Sequence, residues 1–130
     1  MGSTRSFLDL LAKQVVLADG AMGSMLYSQG VFVNRCFDAL NLEDTTLVQN
    51  IHEAYVAAGV DLIETNTFGA NAFRLAKYGL GQDVDRINRA AVRIARQAAQ
   101  GRSLVAGAIG PVGAELTGHG RLTDAQVIQM

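Results

Sequence analysis

A chain of 130 residues with 49% apolar and 18% charged residues is long enough for one globular domain with a real core, and too apolar for a disordered one. Eleven Lys and Arg against twelve Asp and Glu give a formal net charge of −1, which offers no basic surface to nucleic acid. The single cysteine, Cys36, excludes an internal disulfide framework and suits a reducing cytoplasmic setting, and the longest apolar run, residues 104–114, is about half a membrane span.

At the N-terminus, Met1-Gly2-Ser3-Thr4-Arg5-Ser6 matches the loose myristoylation pattern, for which chance is the simpler account. Asp9 and Lys13 interrupt the apolar stretch 7–12, so it does not read as a signal peptide. A first strand is expected over residues 15–18, ending at Asp19-Gly20. Its short, wholly apolar character is that of a buried parallel strand.

Cys36 follows in Asn34-Arg35-Cys36-Phe37-Asp38-Ala39-Leu40, where a small residue packed beside Phe37 and Leu40 is the expectation. Leu47, Val48, Ile51, Ala54, Tyr55 and Ala58 then share one helical face. Asp44, Thr45 or Thr46 can cap that helix, and Gly59 sits where a left-handed residue would end it. A second strand is expected over residues 60–64, followed by a helix beginning near Asn71.

The next helix carries Val84, Ile87, Ala91, Ile94 and Ala98 on one stripe, with Gly101 past its end. Arg86, Arg89, Arg93 and Arg96 lie off the stripe and read as a solvated face, with Asp85 and Arg89 an i, i+4 pair. A third strand is expected over residues 104–109, and Thr123-Asp124 begins another helix close to the last residue, Met130. Strands alternating with helices signal βα units and a parallel sheet. The final helix is barely two turns in at Met130, so further chain is expected beyond it.

In such sheets, ligands are handled at the carboxyl ends of the strands. At the first, Asp19-Gly20-Ala21-Met22-Gly23 combines a tight turn, amides able to hold a carboxylate, and an acid able to accept from an ammonium group. That combination suits an α-amino acid; a turn with Asp19 as a helix cap is the plainer alternative. At the second, Glu64-Thr65-Asn66-Thr67 crowds polar groups that must serve a ligand or pin the loop. The third, Gly107 to Gly113, lacks both dinucleotide and P-loop spacing and reads as close packing at a barrel rim. His119, between two glycines, reads as a loop histidine, and one Cys with His52 and His119 does not complete a zinc site.

Four stretches, in this order and spacing, resemble the homocysteine-binding domain of homocysteine S-methyltransferases. They are Asp19-Gly20-Ala21-Met22-Gly23, then Asn41-Leu42 before the helix 47–58, then residues 58–68, and lastly Gly110-Pro111. Met25-Leu26-Tyr27, Cys36-Phe37, Gly69-Ala70-Asn71 and Tyr78-Gly79-Leu80 look closest to a bacterial type in which a methylenetetrahydrofolate reductase domain follows. The resemblance implies an α/β fold: about the first three βα units of a (β/α)8 TIM barrel.

It also implies a pocket lined by Asp19, Gly20, Ala21, Met22, Glu64, Thr65, Asn66 and Thr67. Asp19 is implied near the substrate amine and the backbone after Gly20 near its carboxylate. A zinc ion held by three later cysteines would make homocysteine a thiolate that attacks a methyl donor: methyltetrahydrofolate, methylcobalamin or S-methylmethionine. Those cysteines are not among the 130 residues, so little activity is expected of this chain alone. Two other readings stay open: another βα-barrel enzyme, an aldolase or isomerase using Glu64, and a stand-alone amino-acid-binding module.

Overall fold

The computed structural model describes residues 6–113 and 122–129. His119 therefore lies outside the described residues. In chain order the elements are α1 (Phe7–Leu11), α2 (Met22–Ser28), α3 (Leu40–Glu43), α4 (Thr45–Ala57), β1 (Leu62–Glu64), α5 (Ala72–Ala76), α6 (Val84–Ala99), β2 (Leu104–Ala106) and α7 (Asp124–Ile128).

β1 and β2 pair in parallel, with Leu62 opposite Leu104 and Glu64 opposite Ala106. The strand expected over residues 15–18 is reduced to one parallel bridge between Ala18 and Leu62. Its backbone still runs beside β1, since the Leu17 carbonyl accepts from Asp61 N at 2.8 Å and Asp19 N donates to the Leu62 carbonyl at 3.0 Å. The ladder goes no further because the Leu17 N–H is taken by the Asp61 carboxylate at 3.0 Å. Val15 is left 91% exposed instead of buried. The third strand is likewise shorter than expected: it ends at Ala106, and Ile109 is 95% exposed.

The two expected long helices form and pack on each other, and α6 also packs on both strands. In α4 the Asp44 side chain accepts from Leu47 N at 3.1 Å, and Gly59 follows the helix at φ +92. Val48 and Ile51 are buried, whereas Ala54 and Ala58 face solvent, so the apolar face is narrower than its spacing implies. In α6, Ile87, Ala91, Ile94 and Ala98 are buried as expected, joined by Ala90, Ala95 and Ala99. That alanine-rich face favours helix and lets neighbouring elements approach closely. Gln100, itself left-handed at φ 48, ends the helix one residue before Gly101.

Off that stripe, Arg89 pairs with Asp85 at 2.8 Å and Arg86 pairs with Asp83, both on the surface. α5 and α7 start as the sequence predicts. Asn71 accepts from Arg74 N at 2.9 Å, and Thr123 forms a reciprocal capping box with Gln126. The core beneath the sheet is built around Ile63, Val56, Val60, Ala95 and Ala99. Each large side chain there contributes about 2 kcal/mol through burial.

Candidate functional site

The carboxyl ends of the strands meet over one cavity of about 620 Å³. Asp19, Gly20, Ala21, Met22, Glu64, Thr65, Asn66 and Thr67, all eight residues singled out from the sequence, line it. The parallel pairing brings them together: Ala18 registers with Leu62, so the first turn and the 64–67 segment leave the sheet at the same level.

Asp19 does not cap α2, whose N-cap is Ala21 without a side-chain bond. Its two carboxylate oxygens accept instead from Glu64 N at 3.2 and 3.1 Å, joining the first strand end to the second. Burial pushes the Asp19 carboxyl above its ordinary range; the Glu64 N–H bonds oppose the shift, and the Glu64 carboxylate nearby adds to it. The half-buried Asp19 and the exposed Glu64 thus put two carboxylates side by side on the wall. Such a pair favours a cation, and an ammonium group suits it.

The Thr65 and Thr67 hydroxyls are committed to the protein. Thr67 Oγ1 donates to the Ala108 carbonyl at 2.7 Å, and Ala108 N donates to Thr65 Oγ1 at 3.1 Å. The hydroxyls lie 2.7 Å apart, and with the Thr67 proton already used, Thr65 is the donor between them. This closed set pins the end of β1 to the chain following β2. Gly110 belongs to the same junction: a Cβ there would lie 2.2 Å from the Phe68 carbonyl, so only glycine lets the two segments pass. Asn66 also ties the wall together, donating through Nδ2 to the Phe37 carbonyl at 2.7 Å.

Sequence reasoning missed the wall contributed by the segment before α3. Asp38 and Phe37 line the cavity, as do Arg35 and, from α5, Arg74. The Asp38 carboxylate accepts from Gly69 N at 2.9 Å, and burial pushes its carboxyl upward. The Arg74 guanidinium stands 5.8 Å over the Phe68 ring. No local signal marks these residues, because they reach the cavity through contacts 31 positions apart, as Asp38 and Gly69 do. Cys36 is buried, as expected, but packs with Ala39, Ala70, Leu75 and Ile87 instead of Leu40.

The described residues do not form a zinc site. Among the described residues no three His, Cys, Asp or Glu side chains gather as ligands. The one thiol, Cys36, is buried among Ala39, Ala70, Leu75 and Ile87, and burial pushes its pKa up.

A parallel βα sheet whose strand ends converge on a carboxylate-bearing cavity is the arrangement at which βα folds bind small molecules. The chain belongs to the homocysteine S-methyltransferase family, whose model matches residues 16–130. It is 33% identical over 98 residues to a methionine synthase of Mycobacterium tuberculosis, covering 71% of this chain and 8% of that protein. To the methionine synthase of Mycobacterium leprae it is 34% identical over the same length. It also superposes on the homocysteine methyltransferase MmuM of Escherichia coli in its metallated form, with TM-score 0.70 and 29% identity. That superposition covers 81% of this chain and 41% of MmuM. The oxidized form of MmuM gives TM-score 0.71 and 28% identity. The chain thus spans about two-fifths of MmuM and under a tenth of the methionine synthases.

Proposed function

We propose that this chain carries part of the amino-acid pocket of a homocysteine S-methyltransferase, with homocysteine as methyl acceptor and methionine as product. The observation that carries the reading is the convergence of Asp19-Gly20-Ala21-Met22 and Glu64-Thr65-Asn66-Thr67 on one cavity, in a chain belonging to that family. The Asp19 and Glu64 carboxylates receive the substrate ammonium. The backbone after Gly20 receives its carboxylate, which leaves the thiol directed into the cavity. Asn66, Thr65 and Thr67 hold the wall in shape, and their hydroxyl and amide bonds explain their types without a direct substrate contact.

The architecture behind this reading is the first three βα units of a (β/α)8 barrel, the rest supplied by chain outside these 130 residues. The solvent-facing Val15 and Ile109 are then edge positions that neighbouring barrel elements would cover. Zinc is expected from cysteines in that remainder and would supply thiol activation; what these residues contribute is recognition and placement of the amino acid. The methyl donor is methyltetrahydrofolate, methylcobalamin or S-methylmethionine, and the setting is cytoplasmic. Among the described residues no helix is long and apolar enough to cross a membrane.

The test is zinc analysis and homocysteine calorimetry on this chain and on the longest natural protein that contains it. Zinc and homocysteine binding by the longer protein alone supports the reading. Homocysteine binding by the 130 residues without metal makes them a binding module in their own right. Binding by neither removes homocysteine from consideration.

A further inference from the structure

Tyr55 lies in the last turn of α4, 34 positions from the first turn in sequence, and does not line the cavity. Its ring packs against two core clusters at once, one around Leu26, Val48 and Ile51 and one around Val56, Val60 and Ile63. Its hydroxyl emerges beneath the Asp19-Gly20-Ala21 turn and donates to the Ala21 carbonyl at 3.4 Å. It also fills the space where a side chain on Gly20 would stand, 2.9 Å from an ideal Cβ. The next ring atoms are 3.4 and 3.5 Å from that point, which is ordinary contact. Gly20 is not in the left-handed region, so the Tyr55 oxygen is the one serious obstacle to a side chain there.

We propose that Tyr55 is a positioning residue of the amino-acid pocket: its hydroxyl, braced by the core, sets where the Gly20–Ala21 peptide lies. The proposal rests on the homocysteine reading above, in which that peptide and the amide after it receive the substrate carboxylate. Glycine at position 20 is then demanded by Tyr55 from below as well as by a ligand from above. The turn opens α2, a short helix with no side-chain cap of its own, so the core supplies the fixity that local bonds do not.

The geometry sets up a compensation experiment in the full protein that the gene encodes, read by homocysteine calorimetry, melting temperature and amide resonances of residues 20–22. Tyr55→Phe removes one neutral hydrogen bond and weakens homocysteine binding about fivefold, with little change in melting temperature. Gly20→Ala drives a methyl against the Tyr55 oxygen and weakens binding by more than about tenfold. The double variant Gly20→Ala, Tyr55→Phe removes the obstructing atom and returns affinity to within about twofold of Tyr55→Phe alone.

Wild-type affinity in Gly20→Ala, or a double variant no better than Gly20→Ala, overturns the proposal. So does a melting-temperature loss in Tyr55→Phe with homocysteine affinity intact, which marks a purely structural tyrosine. If the parent protein itself ignores homocysteine, the functional reading fails first. The ligand-free amide resonances then decide Tyr55 separately: displaced in Tyr55→Phe they uphold it, unmoved they remove it.

Discussion

Asn41 and Asn66 form a buried amide pair across the cavity wall, with Asn41 Nδ2 donating to the Asn66 carbonyl at 2.7 Å and Asn66 Nδ2 reaching Asn41 Oδ1 at 3.4 Å. Asn41 also donates to the Asp38 carbonyl at 2.8 Å and is wholly buried. One side chain thus holds the segment before α3 against the loop after β1. Asn41→Ala leaves the Asn66 carbonyl without its partner, while the Asp38 carbonyl keeps Asn41 N and Asn66 Nδ2 keeps the Phe37 carbonyl, and a loss of about 1–3 kcal/mol is expected. Urea denaturation measures it; a loss below about 1 kcal/mol would show that water replaces the pair.

The Thr65–Thr67–Ala108 set predicts coupling. Thr65→Val and Thr67→Val each cost about 1–2 kcal/mol, because each strands a partner in a buried site. The double variant costs less than the two added together, since the bond between the two hydroxyls is already lost after the first change. Strict additivity in a double-mutant cycle speaks against the closed network.

Asp19 separates stability from recognition. Burial raises its carboxyl pKa in the folded state, so ionising Asp19 costs more in the folded chain than in the unfolded one, and the charge is a net cost to stability above the unfolded pKa. Asp19→Asn keeps an oxygen to accept from Glu64 N while removing that charge. Equal or slightly higher stability is expected, together with homocysteine binding weakened at least tenfold on the scale of about 1.5–3 kcal/mol for a charged hydrogen bond. Calorimetry and thermal melting in parallel test both halves, and unchanged homocysteine affinity would remove Asp19 from the ammonium site.

His52 makes the fold sensitive to acid. It is wholly buried in α4, neither ring nitrogen has a partner among the described residues, and burial lowers its pKa from 6.5 to about 4. The unfolded chain therefore binds the proton first, and stability falls as pH drops from about 6.5 toward 4, by about 3 kcal/mol in all. Above pH 6.5 His52 contributes no slope. His52→Leu is expected to flatten this part of the stability–pH curve, measured by urea midpoints between pH 7 and pH 4; a slope identical to wild type would assign it to other groups.

What the sequence determined by itself is what short-range chemistry decides. The apolar stripe of α6, the caps at Asp44, Asn71 and Thr123, and the left-handed Gly59 follow from spacing and local hydrogen bonding, and all are present. So does the presence of unusual polar residues where strands end. The narrower apolar face of α4, the single bridge at Ala18 and the early end of β2 were beyond such reasoning. Whether an apolar residue is buried, or a strand laddered, depends on which neighbour lies beside it.

Only the tertiary structure decided what the polar residues at the strand ends do. Asp19 bonds Glu64 across 45 positions, Asp38 lines the cavity, and Asn41 and Tyr55 bond the wall and the first turn from behind it. A buried hydrogen bond needs a particular partner at a particular distance, and in this chain those partners are set by parallel register and helix packing. Residue type announced the chemistry available at the rim; long-range contact determined which groups remain for a ligand and which hold the wall.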